Sequence, residues 1–192
     1  MGREFELKFA ATSQVQDAIR QEFGDFREIS METTYFDTAD GALSNRQVTL
    51  RLRKENENSI CTLKTPLPDG SRGEWECQAG EILEGLNTLM ALGAPKEVAV
   101  LAAQGLQPVC GAKFMRLVTE VSTTDGTAEL ALDSGILLGG GKTTALCEVE
   151  VELKSGSDRA TLAFADDLAA KYGLLPESKS KFRRALALAK GE

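Results

Sequence analysis

Two short runs in this chain put acids at every second position. Near the start, Glu4, Glu6 and Lys8 alternate with Phe5, Leu7 and Phe9. Near the end, Glu148, Glu150, Glu152 and Lys154 alternate with Cys147, Val149, Val151 and Leu153. A period of two marks a strand with one apolar face, and same-face neighbours on it lie roughly 6.5–7 Å apart. Ionised carboxylates at that spacing repel one another unless water or a cation screens them. One such strand reads as a solvated sheet face. Two with the same pattern, if the fold joins them, gather four or five carboxylates, a donor set suited to a hard, oxygen-liganded cation such as Mg²⁺ or Mn²⁺.

The opposite sign recurs on other alternating segments. Arg51 and Arg53 alternate with Leu50 and Leu52, Lys64 with Leu63 and Cys61, and Arg72 stands in phase with Glu74 and Glu76. Arg116 lies in the otherwise apolar run Phe114-Met115-Arg116-Leu117-Val118. A lone strand arginine is usually a surface residue. Here the cations come from four separate strands, with Lys8 from a fifth, and a sheet curled into a barrel can point them inward together. Guanidinium groups bind phosphate oxygens in pairs, and lysine acts as a point charge. An interior holding both signs costs severe desolvation unless it contains water and a charged ligand. A polyphosphate chelating a divalent ion matches both walls.

The rest of the composition excludes other chemistry. None of the 192 residues is histidine, which removes Ser-His-Asp and Cys-His nucleophiles, His-ligated zinc and haem, and imidazole acid–base work. With 22 Lys and Arg against 29 Asp and Glu, the net charge of −7 argues against wrapping a nucleic-acid backbone. No apolar run approaches the roughly 18 residues of a membrane span, and the start lacks the pattern of a signal peptide. Cys61, Cys77, Cys110 and Cys147 have no C-x-x-C spacing and read as free, mostly buried thiols. A cytoplasmic protein is expected.

The elements that must position these residues are legible in outline. Strands are predicted over 3–9, 28–37, 47–55, 58–65, 72–79, 112–122, 126–133 and 144–154. Helices are predicted from Ser13 to a stop at Gly24, with a Ser13/Gln16 capping box, and over 83–92. Further helices run from Pro95 to Gln104, Asp158 to Tyr172 and Lys181 to Lys190. There is no internal repeat or linker, so residues 1–192 read as one antiparallel-rich α+β domain with helices decorating the sheet.

With these residues in hand, the chain resembles the CYTH superfamily, the triphosphate tunnel metalloenzymes. The family's Glu-x-Glu-x-Lys signature is matched by Glu4-Phe5-Glu6-Leu7-Lys8. Tyr35-Phe36-Asp37-Thr38, Leu50-Arg51-Leu52-Arg53, Thr62-Leu63-Lys64, Arg72-x-Glu74, Arg116, Leu132-Asp133-x-Gly135, the late acidic strand and Ser180-Lys181 then follow in the family's order. One departure is Arg184, where the family often has glycine.

The resemblance implies an eight-stranded antiparallel barrel with a hydrophilic tunnel, as a stand-alone domain with no room for the helical CHAD domain. It implies Glu4, Glu6, Glu148, Glu150 and Glu152 as ligands of Mg²⁺ or Mn²⁺. Lys8, Arg51, Arg53, Lys64, Arg72, Arg116 and Lys181 would grip phosphates. Lys64 and Tyr35 would be a proton-transfer pair, with a second ion or a late-strand carboxylate, Glu150 or Glu152, orienting water, although Tyr35 reads equally well as a core-rim aromatic. Asp37 and Asp133 are expected to fix turns or arginines, and Glu74 and Glu76 to orient cations. The implied activity is metal-dependent hydrolysis of a triphosphate, inorganic triphosphate first. An adenylate cyclase, a thiamine triphosphatase and a non-catalytic polyphosphate-binding module are the alternatives. The expected partner is a small-molecule triphosphate, with no nucleic acid or membrane, and a homodimer is left open.

Overall fold

The computed structural model describes residues 5–67 and 72–192. Its strands are β1 (Glu6–Ala10), β2 (Arg27–Asp37), β3 (Thr49–Glu55), β4 (Asn58–Pro66), β5 (Arg72–Gln78), β6 (Gln107–Ser122), β7 (Thr127–Gly139), β8 (Lys142–Ser155) and β9 (Leu175–Pro176). The helices are α1 (Ser13–Phe23), α2 (Ile82–Ala91), α3 (Lys96–Ala102), α4 (Asp158–Tyr172) and α5 (Lys181–Lys190). None of them is long and apolar enough to cross a membrane.

All nine strands join one antiparallel sheet in the order β5-β4-β3-β2-β6-β7-β8-β1-β9. The eight expected strands are there, with a two-residue ninth at one edge. Among the described residues no ladder joins β5 to β1 or β9, so the sheet is a strongly curled, tunnel-like trough rather than a closed barrel. Pro176 in β9 has no N–H to donate, which blunts that edge against further pairing.

Alternation dictates what each face of the trough meets. Outward Leu50, Cys61, Leu63 and Trp75 pack beneath α2 and α3. Outward Phe9, Leu130, Leu132, Val149 and Val151 pack beneath α1 and α4. The third apolar cluster lies inside the trough, where Phe182 and Ala185 of α5 meet Tyr35, Phe114, Leu137 and Leu146. Helix α5 can lie this close because position 139 is glycine: a Cβ there would stand 2.3 Å from the Ala185 carbonyl oxygen. All four cysteines are free, and burial pushes the Cys61 and Cys110 thiols up to about 12.

Two local expectations are corrected. The cap of α1 is Thr12, whose hydroxyl accepts from the Val15 N–H, and not Ser13. Gln16 caps nothing; it is buried, and its Nε2 donates to the main-chain oxygens of Asp133 (2.9 Å) and Glu148 (2.8 Å). Those carbonyls lie under a helix, away from water, and need a donor. Strand β7 also runs on past its expected end at 133 to Gly139, with Gly135 a crowded position inside it. The chain reverses at Gly140 and Gly141, within the glycine run 139–141 where the sequence puts a turn, and their φ of 58° and 73° fit a two-residue hairpin of the I′ type.

A Cβ at position 135 would stand 2.2 Å from the Lys113 carbonyl oxygen and 2.5 Å from Phe114 Cα, both backbone atoms that cannot swing aside. Gly135→Ala should therefore lower unfolding free energy by about 3 kcal/mol, near the upper end of overpacking costs. Its exposed neighbour Ser134→Ala should stay within about 0.5 kcal/mol. Urea denaturation of both variants measures the difference, and equal midpoints would contradict the packing described here.

Candidate functional site

The trough encloses a cavity of about 900 Å³, lined by residues of β1 to β8 and of α5. Strand register decides which charges meet inside it. Glu6 of β1 faces Glu152 of β8, which faces Glu129 of β7 on its other side. One step along, Lys8 faces Glu150. One further step brings Glu148 against Asp133, and Asp133 against Arg116 of β6.

The innermost of these groups form a closed ion network. Asp133, Glu148 and Glu150 are buried, and each offers an oxygen within 4.8 Å of the others, close enough for one cation to be shared. Lys181 Nζ lies 2.8 Å from Asp133 Oδ2, 2.5 Å from Glu148 Oε2 and 2.6 Å from Glu150 Oε1. Arg116 donates from Nε and Nη2 to the two oxygens of Asp133 at 2.7 and 2.6 Å, and from Nη2 to Glu150. Arg184 pairs with Glu148 and, at 3.6 Å, with Glu177. Three carboxylates thus meet three cations. Burial by itself would raise the Glu150 carboxyl, but Lys181 and Arg116 outweigh it and hold the group at about 2. Burial likewise works against charge on Lys181 and Arg116, and the surrounding carboxylates hold both above their ordinary values.

The opposite wall is basic. Arg51 and Arg53 point inward from β3, and each has a guanidinium nitrogen 3.9 Å from Glu76 of β5. Arg53 also pairs with Glu55. Their Nε atoms are buried without a hydrogen-bond partner among the described residues. Burial and the neighbouring Arg51 lower the Arg53 pKa, which records how crowded the guanidinium groups are. Lys64 is 3.2 Å from Glu74, and Thr62 donates to Glu76 at 2.8 Å. Arg72 donates to the Gln47 carbonyl at 3.2 Å. The loop before β3 is anchored by Asp37, which accepts from the N–H groups of Thr38, Leu43 and Ser44. It brings Ser44, Asn45 and Gln47 to the cavity rim.

Of the residues singled out by sequence, Glu6, Lys8, Tyr35, Arg51, Arg53, Lys64, Arg72, Arg116, Glu150, Glu152 and Lys181 all line this one cavity. Glu4 lies outside the described residues. Glu148 sits behind the lining, wholly buried between Lys181 and Arg184. Tyr35 and Lys64 stand on β2 and β4 with β3 between them, and the Tyr35 ring packs on Phe182 with centroids 5.0 Å apart. Asp37 and Asp133 hold a turn and an arginine as expected, and Asp133 joins the acidic cluster besides.

One acidic-wall residue was missed. Glu129 was legible as an acid two positions from Ala131 and four from Asp133 on the inward phase of β7. Lys154, read in the late charged row but given no role, lies 2.9 Å from Glu152 and 3.9 Å from Glu129.

Residues 2–186 match the CYTH domain family. The chain belongs to that family. It is 27% identical, over 98% of its own length, to an inorganic triphosphatase of Haemophilus influenzae. It spans about half the length of that relative, 55%. The fold is also that of a candidate adenylyl cyclase from Hippeastrum, described as having a dominant triphosphatase activity. The TM-score is 0.67, at 17% identity, over 98% of this chain and 96% of that one. A protein of Bacillus halodurans described as a candidate adenylate cyclase matches with a TM-score of 0.66, at 19% identity, over 96% and 98% of the two chains. The curled CYTH sheet explains why charges so far apart in sequence share one cavity.

A carboxyl held below its ordinary value stabilises the fold above the unfolded value and loses that contribution on acidification. For Glu150 the window runs from about pH 4.5 down to about 2. Glu150→Gln should be less stable than wild type at neutral pH, since Lys181 and Arg116 lose a partner, but its stability should fall less steeply through that window. Thermal melts at half-unit pH steps give both slopes; parallel slopes would place Glu150 outside the network.

Proposed function

We propose that this chain hydrolyses a triphosphate, inorganic triphosphate first, with Mg²⁺ or Mn²⁺. The observation that carries the reading is the pairing of a carboxylate-rich wall with a guanidinium-rich wall across one cavity. A tetrahedral phosphate chain needs cations on its oxygens, and a hard divalent ion needs oxygen donors. The carboxylates of Glu6, Glu129 and Glu152 lie side by side on three neighbouring strands and are accessible from the cavity, so they fit such an ion. Once bound, it would offset negative charge on phosphate oxygens and make water a better nucleophile.

In this reading Arg51, Arg53, Lys64 and Arg72 grip the phosphates. Arg116 contributes from behind Glu150, because Nε and Nη2 are already engaged with carboxylates. Glu152 orients the attacking water and takes its proton. The new bond joins that water oxygen to the terminal phosphorus as the anhydride P–O bond breaks, and the oxygen of the departing diphosphate carries the electron pair away. Lys64 is the candidate proton donor to the leaving oxygen, and Tyr35 lines the same cavity from β2, on the other side of β3. The 27% identity to an inorganic triphosphatase supports the choice of substrate. The cavity side chains named here read phosphate, and none reads a base.

Phosphate release from inorganic triphosphate, ATP and thiamine triphosphate, with and without Mg²⁺ or Mn²⁺, tests the proposal directly. Inorganic triphosphate should be turned over fastest and only with metal. Cyclic AMP from ATP would instead favour the cyclase, and binding without turnover a non-catalytic module.

The two walls should also separate under mutation. Arg51→Ala and Arg53→Ala should each weaken triphosphate binding about 10- to 100-fold in calorimetry, the size of one charge-assisted contact. Glu6→Gln and Glu152→Gln should instead raise the metal concentration needed for half-maximal turnover. Wild-type triphosphate affinity in both arginine variants would put the phosphates elsewhere.

A further inference from the structure

The oxygens of Asp133, Glu148 and Glu150 converge on a point, and an ammonium group already stands there. Lys181 Nζ is within 2.8 Å of an oxygen from each of the three. Charge-assisted N–H···O contacts of this length are strong, and a divalent ion bound by the same oxygens would need the same space. Charge decides the rest. Lys181, Arg116 and Arg184 already balance three carboxylates, so a divalent ion added to the filled cluster would leave two uncompensated positive charges in a buried site.

We propose that Lys181 and a divalent cation are alternative occupants of one site, the ammonium holding it in the metal-free protein and leaving when metal binds. The inference rests on the reading of the cavity as a divalent-cation site, and it adds an exchange step to that reading. The residues around Lys181 suit a group that departs. Its carboxylate partners keep Arg116 on Asp133 and Glu150, and Arg184 on Glu148, so the cluster is not stripped of cations when the ammonium swings out. Lys181 is the first residue of α5, on a flexible four-carbon stem, and it lines the cavity. The Phe114 ring lies 5.3 Å from Nζ and offers the moving cation an aromatic face. An ammonium released in this way stays within the cavity, where the proposed phosphates lie. Metal binding would thus add a cation to the phosphate-binding wall, and metal and triphosphate would favour one another beyond their own chelation.

Calorimetric titration of Mn²⁺ alone, in the absence of triphosphate, tests the exchange on wild type, Lys181→Gln, Lys181→Arg and Arg184→Gln. Lys181→Gln empties the site and should bind Mn²⁺ about tenfold tighter than wild type, or gain one site, with a larger Mn²⁺-induced rise in melting temperature. Arg184→Gln removes an equal charge from Glu148 but leaves the ammonium in place, and should change Mn²⁺ affinity by no more than about threefold. Lys181→Arg fills the site with a fork that holds carboxylates in pairs, and should bind Mn²⁺ more weakly than wild type. An unchanged isotherm in Lys181→Gln, or an equal gain in Arg184→Gln, would overturn the exchange. Should Lys181→Gln fail to fold even with Mn²⁺, Lys181→Arg decides, and wild-type or tighter binding there would overturn it. Failure of the exchange leaves wild-type triphosphate hydrolysis untouched, whereas a wild type that releases no phosphate under any metal would sink the proposed function instead.

Discussion

Burying carboxylates is expensive, and the architecture of this protein is organised around neutralising three of them. Asp133, Glu148 and Glu150 lie at the bottom of the trough on two adjacent strands, out of reach of bulk water. Left unpaired they would protonate or force the sheet open. Arg116 comes from the strand on one side, and Lys181 and Arg184 come from α5, which must therefore lie inside the trough and not on its outer face. The first turn of α5 carries Lys181, Arg183 and Arg184, all of the sign that its own dipole disfavours. The cluster offsets that cost, and the apolar contacts of Phe182 and Ala185 fix the helix on the glycine-lined strands beneath it.

Such a network is a weak source of net stability. Replacing a buried ion set with apolar residues often leaves a fold as stable or more so, whereas removing one partner is strongly destabilising. The network makes better sense as a set of charges held ready in a pre-shaped cavity, where burial makes each worth more to a ligand than it would be in bulk water. The support extends to the outer face of the sheet. Gln16 reaches from α1 to the main-chain oxygens of Asp133 and Glu148, so the backbone at the acids is tied from outside while their side chains are tied from within.

Much of this was legible in the sequence because alternation is a local signal. The inward phase of β1, β3, β4, β5 and β8 could be read from Glu6-x-Lys8, Arg51-x-Arg53, Thr62-x-Lys64, Glu74-x-Glu76 and Glu148-x-Glu150-x-Glu152, and α4 and α5 span the expected residues, Asp158–Tyr172 and Lys181–Lys190. Register across strands is not local, and there the reading ran out. Nothing near Glu129 says that it will face Glu152, and nothing near Glu148 says that it will lie behind the cavity lining between two cations. The end of β7 was missed for the same reason: nothing near Asp133 says that the strand pairs on to Gly139. Gln16 fitted a capping pattern by spacing, but its amide answers carbonyls more than a hundred residues away. The seam that stays open between β5 and β9 among the described residues depends on how far the whole sheet curls, which no single segment encodes.

In the proposed function the two walls of one cavity divide the work, acids for metal and guanidinium groups for phosphate. The most direct measurement is a crystal structure of the wild-type chain with Mn²⁺ and a non-hydrolysable imido-triphosphate, with Mn²⁺ located by its anomalous scattering. The predicted result is anomalous density among the carboxylates of the β1, β7 and β8 wall, with phosphate oxygens within hydrogen-bond distance of Arg51 and Arg53. Triphosphate bound outside the trough, or Mn²⁺ held away from those carboxylates, would contradict it.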